Sequence, residues 1–277
     1  MEAGEHPPSW YSTNLVGVPT WILASIEFNA HPRAMHIGGT RSAHHGLFAL
    51  LARCSDVQEA GDVFAHYMTL AFGLQPLEPD KGAQSSGEAR RWRSNYIKLL
   101  QGWGLDSSGP AGAVLKGWVE SRFGLVPAFH KAVLARFPSP AWVTYLEQKV
   151  SSRYHNNGIY QQLDLLYEYG QWVLGRFKPF GEGPRITLWR GISRGEQQVV
   201  VGRWSTSVRH GVMRLNNLVS LSTRADQAEC FGDWLLRIEV PVCKLLYFPG
   251  LLKGVPLNGE GEVLAIGGDY EVEVCHG

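Results

Sequence analysis

The chain has 277 residues, and its 26 Lys and Arg nearly balance its 25 Asp and Glu. A net charge this small does not draw a protein onto nucleic acid or an anionic membrane, so neither partner is expected. Hydrophobic residues make up 44% of the sequence and charged residues 18%. This balance is typical of a globular enzyme and excludes a largely disordered or fibrous chain.

The N-terminal segment is expected to carry neither a secretory signal nor a membrane span. Residues 1–5 lack the basic start and apolar run of a signal peptide, so we expect a cytoplasmic protein. The most apolar early run, residues 15–26, is interrupted by Gly17 and Pro19. It is also shorter than the roughly 20 residues that a membrane helix needs.

The first part of the chain has the apolar periodicity of helices, which are separated by Pro, Gly and Ser. Predicted helices cover about 58–73, 89–103, 111–122, 128–136, 140–153 and 159–177. Pro110, Pro127 and Pro140 each suit the first turn of a helix. The faces of these helices that are rich in Trp and Leu are interpreted as ordinary core.

After residues 178–181 the pattern changes to short β-prone runs. Predicted strands cover 186–190, 217–222, 234–240, 245–248, 262–266 and 270–275. A short helix is predicted near 225–231, and residues 191–215 are expected to form a long loop with a short strand. This division predicts an α+β fold: a mostly helical part, 1–180, packed on a strand-rich part, 181–277, in one continuous globular unit.

Three pieces of the strand-rich part carry polar residues that suit one chemistry. The first ends in Arg190 and Gly191, and a planar guanidinium at a strand end binds phosphate oxygens well. The second contains Ser220 and Ser222, whose hydroxyls lie on one face of a strand because they are two residues apart. Taken alone, the arginine is more simply a surface residue and the serines belong to an ordinary strand.

The third piece places two carboxylates, Glu260 and Glu262, on one face of a strand directly after a loop. A carboxylate held near a ribose stabilises the positive charge that develops when a glycosidic bond breaks. A second carboxylate can hold an arginine and accept its proton. An isolated Glu-Gly-Glu is usually a solvated turn, but its position after the other two pieces favours a catalytic function.

The order of the three pieces resembles the Arg-Ser-Glu group of mono-ADP-ribosyltransferases. These enzymes carry an aromatic-Arg strand end, a Ser-Thr-Ser strand and a Glu-x-Glu strand. The resemblance implies NAD as co-substrate, bound by Arg190, Gly191, Ser220 and Ser222, and a split mixed β-sheet core packed on the helical part. Leu221 stands where the family has Thr, so the sequence departs from the pattern there.

The resemblance also implies the two catalytic residues. Glu262 matches the second Glu of the family motif, which holds the ribose and is indispensable. Glu260 matches the first Glu, which orients the acceptor when the acceptor is an arginine.

The whole chain is similar to the dinitrogenase reductase ADP-ribosyltransferases of nitrogen-fixing bacteria. The similarity includes the N-terminal run from Ser12 to Asn29, which has no general catalytic motif. It implies transfer of ADP-ribose from NAD to one arginine of dinitrogenase reductase, the nitrogenase iron protein, which is thereby inactivated. It also implies a PII signal protein as regulator.

Two other functions stay open at this point. An NAD glycohydrolase of the same fold uses water as acceptor and has no need of Glu260. A noncatalytic NAD-sensing or protein-binding module has no need of Glu262.

Two further segments are ambiguous. His31, His36, His44 and His45 match no zinc spacing and are interpreted as solvated or core histidines, and no metal site is predicted. The loop 249–259 is a candidate for acceptor contact, with Leu251 and Leu252 either as exposed apolar tips or as buried anchors.

Overall fold

The structure is a computed structural model. It describes residues 14–74, 95–151, 154–155, 158–193, 199–200, 210–254, 257 and 261–276. These residues form an α+β fold in which a set of helices precedes an antiparallel sheet. None of the helices in these ranges is long and apolar enough to cross a membrane.

The helices follow one another through the first part of the chain, and a short one lies between two strands. They are α1 (Thr20–Leu23), α2 (Ile26–Ala30), α3 (Thr40–Ala43), α4 (His45–Leu51), α5 (Val57–Phe72), α6 (Tyr96–Leu105), α7 (Pro110–Phe123), α8 (Pro140–Ser151), α9 (Ile159–Phe177) and α10 (Ala225–Glu229). The predicted helices at 58–73, 111–122, 140–153 and 159–177 are confirmed. The one at 89–103 is found as α6, and residues 89–94 lie outside the described residues.

Local sequence explains where several helices begin and end. The side chains of Asp56 and Asn95 each accept a backbone N–H in the first turn of α5 and α6. Pro110 and Pro140 are the first residues of α7 and α8, as predicted. Gly124 ends α7 with a φ of 75°, in the left-handed region that glycine adopts without steric cost.

The helix predicted at 128–136 is wrong. Residues there form a small hairpin of β1 (Phe129–His130) and β2 (Ala132–Val133). Asn216 of the sheet accepts a hydrogen bond from the Ala128 N–H and donates one to the Phe129 carbonyl. These tertiary bonds occupy backbone groups that a helix needs for itself, so the segment stays extended.

The sheet is antiparallel at every described pairing, whereas a mixed sheet was expected. Its strands are β3 (Arg185–Ile192), β4 (Val199–Val200), β5 (His210–Ser222), β6 (Trp234–Pro241), β7 (Leu245–Tyr247) and β8 (Glu262–His276). The predicted loop at 191–215 gives way to β5 from His210 onward. The two strands predicted at 262–266 and 270–275 are one continuous strand, β8.

Four of the strands, β5, β8, β6 and β3, pair in a closed ring, in which one of the four pairings is very short. β5 pairs with β8, β8 pairs with β6, and β6 pairs with β3 along all eight residues of β3. β3 returns to β5 through the single pair Trp189 and Ser222. The ends of β3, β5 and β8 therefore meet at one point, and β3 and β5 have no other described backbone pair.

A bulge in β5 attaches the helical part to the sheet. The register of β5 against β8 shifts between Leu215 and Leu218. In that bulge the side chain of Asn217 donates to the carbonyls of Lys116 and Leu125, at 2.9 and 2.8 Å. The end of α7 is thus held against the middle of β5, close to the strand end that carries Ser220.

Candidate active site

A pocket of about 640 Å³ opens where the ends of β3, β5 and β8 meet. Arg190, Gly191, Ser220, Ser222 and Glu262 all line it. Residues that are up to 72 positions apart in the sequence are brought together because β5 lies between β3 and β8 at this end of the sheet. The structure therefore assembles five of the six predicted site residues around one cavity.

A side-chain hydrogen bond in the pocket joins the second and third motifs. The Ser220 hydroxyl donates to Oε1 of Glu262 at 2.7 Å. Ser220, Leu221 and Ser222 line the pocket, and Val219 and Leu221 are both nearly fully buried. This bond holds the Glu262 carboxylate in a defined orientation.

Ser222 builds the turn that leads from β5 into α10. Its hydroxyl oxygen accepts the Arg224 N–H at 3.0 Å. Between these two residues, the Thr223 N–H donates to the Gly261 carbonyl at 2.9 Å. A Cβ at Gly261 would lie 2.8 Å from Oε1 of Gln227 on α10. Gly261 therefore leaves room for the Gln227 side chain just before Glu262.

Arg190 is partly exposed at the end of β3, and its Nη1 donates to the Ser220 carbonyl at 2.7 Å. This bond extends the contact between β3 and β5 past their one backbone pair. At Gly191 the absence of a side chain matters, since a Cβ there would lie 2.1 Å from the Ala228 carbonyl oxygen. Gly191 therefore admits the backbone of α10 against β3.

Sequence reasoning missed Trp103, which comes from α6 in the helical part. Its indole N–H donates to the Ser220 hydroxyl oxygen at 2.8 Å, and the residue is 3% exposed. Trp103 was interpreted as ordinary core, because it continues the buried face formed by Tyr96, Leu99 and Leu100 at helical spacing. That spacing predicts burial but gives no sign of a partner on a distant strand.

Two apolar side chains at the pocket are left in solvent. Leu105, at the end of α6, is 86% exposed, and Phe231, just after α10, is 69% exposed. The pocket thus offers an apolar edge beside the polar groups of Arg190 and Glu262.

Tyr247 of β7 pairs with Leu264, two residues along β8 from Glu262. Burial raises the pKa of the Tyr247 phenol, and the negative charge of Glu262 raises it further. The phenol therefore stays neutral beside the carboxylate.

The remaining predictions have mixed outcomes. Glu260 lies outside the described residues, as do residues 255–256 and 258–259 of the preceding loop. Leu251 is fully buried and Leu252 is 7% exposed. They are buried loop anchors, and the alternative of exposed apolar tips is wrong.

The four histidines of the N-terminal segment do not reach the pocket. Each has a protein partner: His31 contacts Glu27, His36 contacts Glu168, His44 contacts Tyr67, and His45 contacts the Ser42 carbonyl. Among the residues that the structure describes, no three His, Cys, Asp or Glu side chains are arranged to hold a metal ion.

Comparison with known proteins identifies the family of the chain. Residues 13–274 match the model of the dinitrogenase reductase ADP-ribosyltransferase family. The chain belongs to this family. It is 47% identical over 272 residues to the NAD(+)--dinitrogen-reductase ADP-D-ribosyltransferase of Rhodospirillum rubrum, and the alignment covers 98% of each protein. No solved structure shows a significant match to the chain.

Proposed function

We propose that this chain transfers ADP-ribose from NAD to an arginine of dinitrogenase reductase and thereby inactivates it. The family match and the name of the 47% identical relative support the donor, the reaction and the protein acceptor. The observation that carries the site assignment is the Ser220 to Glu262 hydrogen bond, made in a pocket that Arg190 also lines.

The proposed fold is the ADP-ribosyltransferase type, in which the sheet is split beside the NAD site. The single pair between β3 and β5 supports this assignment, because it leaves the strands free to diverge next to the pocket. The pocket volume lies within the roughly 300–1,000 Å³ of small-molecule sites. Arg190 suits the pyrophosphate of NAD, since a guanidinium donates two parallel bonds to phosphate oxygens.

The first chemical event is cleavage of the bond between the ribose and nicotinamide. The bonding electron pair leaves with nicotinamide, so the ribose acquires oxocarbenium character and positive charge. The Glu262 carboxylate stabilises that charge most when it is fixed before the reaction, and the Ser220 hydroxyl fixes it. The bond to Ser220 also limits movement of the carboxylate between the ground state and the transition state.

The second event is attack of an arginine nitrogen on the ribose carbon that nicotinamide left. A guanidinium is protonated and weakly nucleophilic, so it needs a carboxylate to hold it and take up the proton that it loses. We assign this role to Glu260, two residues before Glu262 in the sequence. The products are nicotinamide, ADP-ribosylated protein and one proton.

The adduct has a direct way to inactivate its target. It adds a bulky group with two negative charges to a guanidinium that keeps its positive charge, so the modified side chain becomes net negative. If that arginine lies in an interface, an attractive contact becomes a repulsive and clashing one. The proposal also includes a cytoplasmic location and, as the family resemblance implies, a PII signal protein as regulator.

The experiment that tests the proposal incubates the purified chain with labelled NAD and dinitrogenase reductase, and locates the label by mass spectrometry. We expect label on one arginine of dinitrogenase reductase. An acceptor variant in which that arginine is lysine should escape labelling. Free ADP-ribose without labelled protein would instead identify a glycohydrolase, and binding without NAD cleavage would identify a noncatalytic module.

Glu260→Gln separates the two chemical events. We expect this variant to lose transfer to arginine by about 10²-fold, the lower range of general acid-base contributions, and to keep hydrolysis of NAD by water. The measurement is the ratio of labelled protein to free ADP-ribose. Glu229→Gln, on an exposed position of α10, is the matched control and should leave the ratio unchanged. Equal loss of both activities in Glu260→Gln would contradict the assigned role.

A further inference from the structure

We propose that Trp103 is a positioning residue for the reaction, acting on Glu262 through Ser220. The proposal rests on the function proposed above. It means that a residue of the helical part helps to orient the catalytic carboxylate. Its basis is a continuous chain of two hydrogen bonds, from the Trp103 indole to the Ser220 hydroxyl at 2.8 Å and from that hydroxyl to Glu262 at 2.7 Å.

The direction of this chain is fixed by the chemistry of its ends. An indole N–H can only donate, and an ionised carboxylate can only accept. The Ser220 hydroxyl, which has one proton, must therefore accept from Trp103 and donate to Glu262. A serine hydroxyl otherwise rotates about its C–O bond, so the indole selects the one orientation that serves the carboxylate.

The position of Trp103 is itself tightly determined. Its helix, α6, is held at the N-terminal end by Gln162, whose side-chain oxygen accepts the Tyr96 N–H at 3.1 Å. Near its C-terminal end a Cβ at Gly102 would lie 2.6 Å from the Cβ of Ala111 on α7. Contact at both ends prevents rotation of α6 about its axis, and the indole N–H stays directed at β5.

A buried cation packs against the same indole. The Lys116 ammonium lies 5.8 Å from the centre of the Trp103 ring, and Lys116 is 1% exposed. Its nitrogen also donates to the Phe129 carbonyl at 3.0 Å. A cation over an indole face attracts the ring, which adds a second restraint on the indole beyond ordinary packing.

The test compares the kinetics of Trp103→Phe with those of the wild type. Phenylalanine keeps an aromatic ring but has no N–H, so Ser220 loses its fixed orientation. We expect kcat for ADP-ribose transfer to fall about tenfold, the equivalent of one neutral hydrogen bond, while KM for NAD stays within about twofold. A kcat within about twofold of the wild type would overturn the proposal.

Trp118→Phe is the matched control. The Trp118 indole also donates a buried hydrogen bond, to Asp164 at 2.7 Å. Trp118 does not line the pocket. We expect this variant to lose thermal stability and keep kcat. A similar fall of kcat in both variants would show that loss of a tryptophan N–H acts through general destabilisation, which contradicts the proposal.

A double-mutant cycle shows whether Trp103 acts through Ser220. If it does, Trp103→Phe should slow the wild type but not Ser220→Ala, since the hydroxyl to be oriented is already absent. Equal effects of Trp103→Phe in the two backgrounds would overturn the proposed path.

An NMR measurement keeps the proposal testable if Trp103→Phe fails to fold. The sequence has 10 tryptophans, and the indole N–H signal of Trp103 should be the one that shifts most in Ser220→Ala. The signal is assigned by residue-specific labelling of the wild type. An unshifted Trp103 signal would exclude the hydrogen bond, whereas a wild type that neither transfers ADP-ribose nor cleaves NAD would reject the proposed function and leave this bond in place.

Discussion

Glu168 of the helical part and Glu262 of the strand-rich part show two different roles of a carboxylate. Glu168 is fully buried in α9, where it accepts the Ile37 N–H at 2.6 Å and pairs with Arg41 and His36. Glu262 is partly exposed at the start of β8, where it lines a pocket and accepts a hydrogen bond from the Ser220 hydroxyl. The first joins a long helix to the segment that packs on it, and the second faces the space where a ligand fits.

The difference extends to the neighbours of each residue. Asp164, one turn before Glu168 on α9, accepts from both the Trp118 indole and the Arg122 guanidinium. These buried networks are enclosed by protein and stabilise the fold. At the strand ends, in contrast, the polar side chains line a cavity, which is the arrangement expected of a binding site. The burial and the hydrogen-bond partners of a carboxylate thus distinguish a stabilising residue from a functional one better than its residue type does.

The largest expected effect is that of Glu262→Ala. We expect ADP-ribose transfer to fall by about 10³-fold, the upper range for removal of one preorganised electrostatic group at a reacting centre. NAD binding, measured by calorimetry, should change little because the residue acts mainly in the transition state. Normal turnover with lost NAD affinity would show that Glu262 only binds the substrate.

Glu168→Gln should have the opposite profile. Loss of the charge leaves Arg41 and His36 without their shared partner, and because these side chains are 38% and 50% exposed, water compensates part of the cost. We expect the free energy of unfolding to fall by about 2 kcal/mol, below the range for a fully buried pair. Denaturant unfolding measures this change, and kcat at low temperature should be unaltered. A large fall in kcat without loss of stability would break the comparison.

The smallest expected effect concerns Lys244, a buried cation in the strand-rich half. The structure describes no hydrogen-bond partner for its ammonium, which lies over the rings of Phe28 and Tyr270 at 5.3 and 4.9 Å. Burial lowers the pKa of Lys244 to about 7, and electrostatic interaction with Cys243 and Asp269 offsets part of this shift. The unfolded chain therefore binds a proton that the folded chain releases above this pH.

The consequence is a stability that rises with pH. Below about pH 7 both states are protonated and the cost of burial is fully present, and it disappears as the pH approaches the ordinary pKa of lysine. Compared with Lys244→Met, the wild type should gain about 1 kcal/mol of unfolding free energy between about pH 7 and about pH 8. Parallel pH profiles of the two proteins in denaturant unfolding would show that Lys244 does not titrate in this range.

Much of the fold followed from local patterns. The prolines that begin α7 and α8 were correctly placed because helix ends depend on a few adjacent residues. The hairpin at 129–133 was missed, because Asn216 of a distant strand determines its backbone hydrogen bonds. Likewise, a single strand was predicted as two at 262–275, since Gly267 and Gly268 resemble a turn until β5 is seen beside them.

By itself, the sequence determined the residues of the candidate site that three short motifs contain, since strand alternation and side-chain chemistry are local properties. Only the tertiary structure decided that Ser220 donates to Glu262, that Arg190 bonds to the backbone of β5, and that Trp103 enters from α6. The physical reason is that a hydrogen bond depends on the distance and angle between two groups. For residues on different elements, these are set by how the elements pack and not by either local sequence.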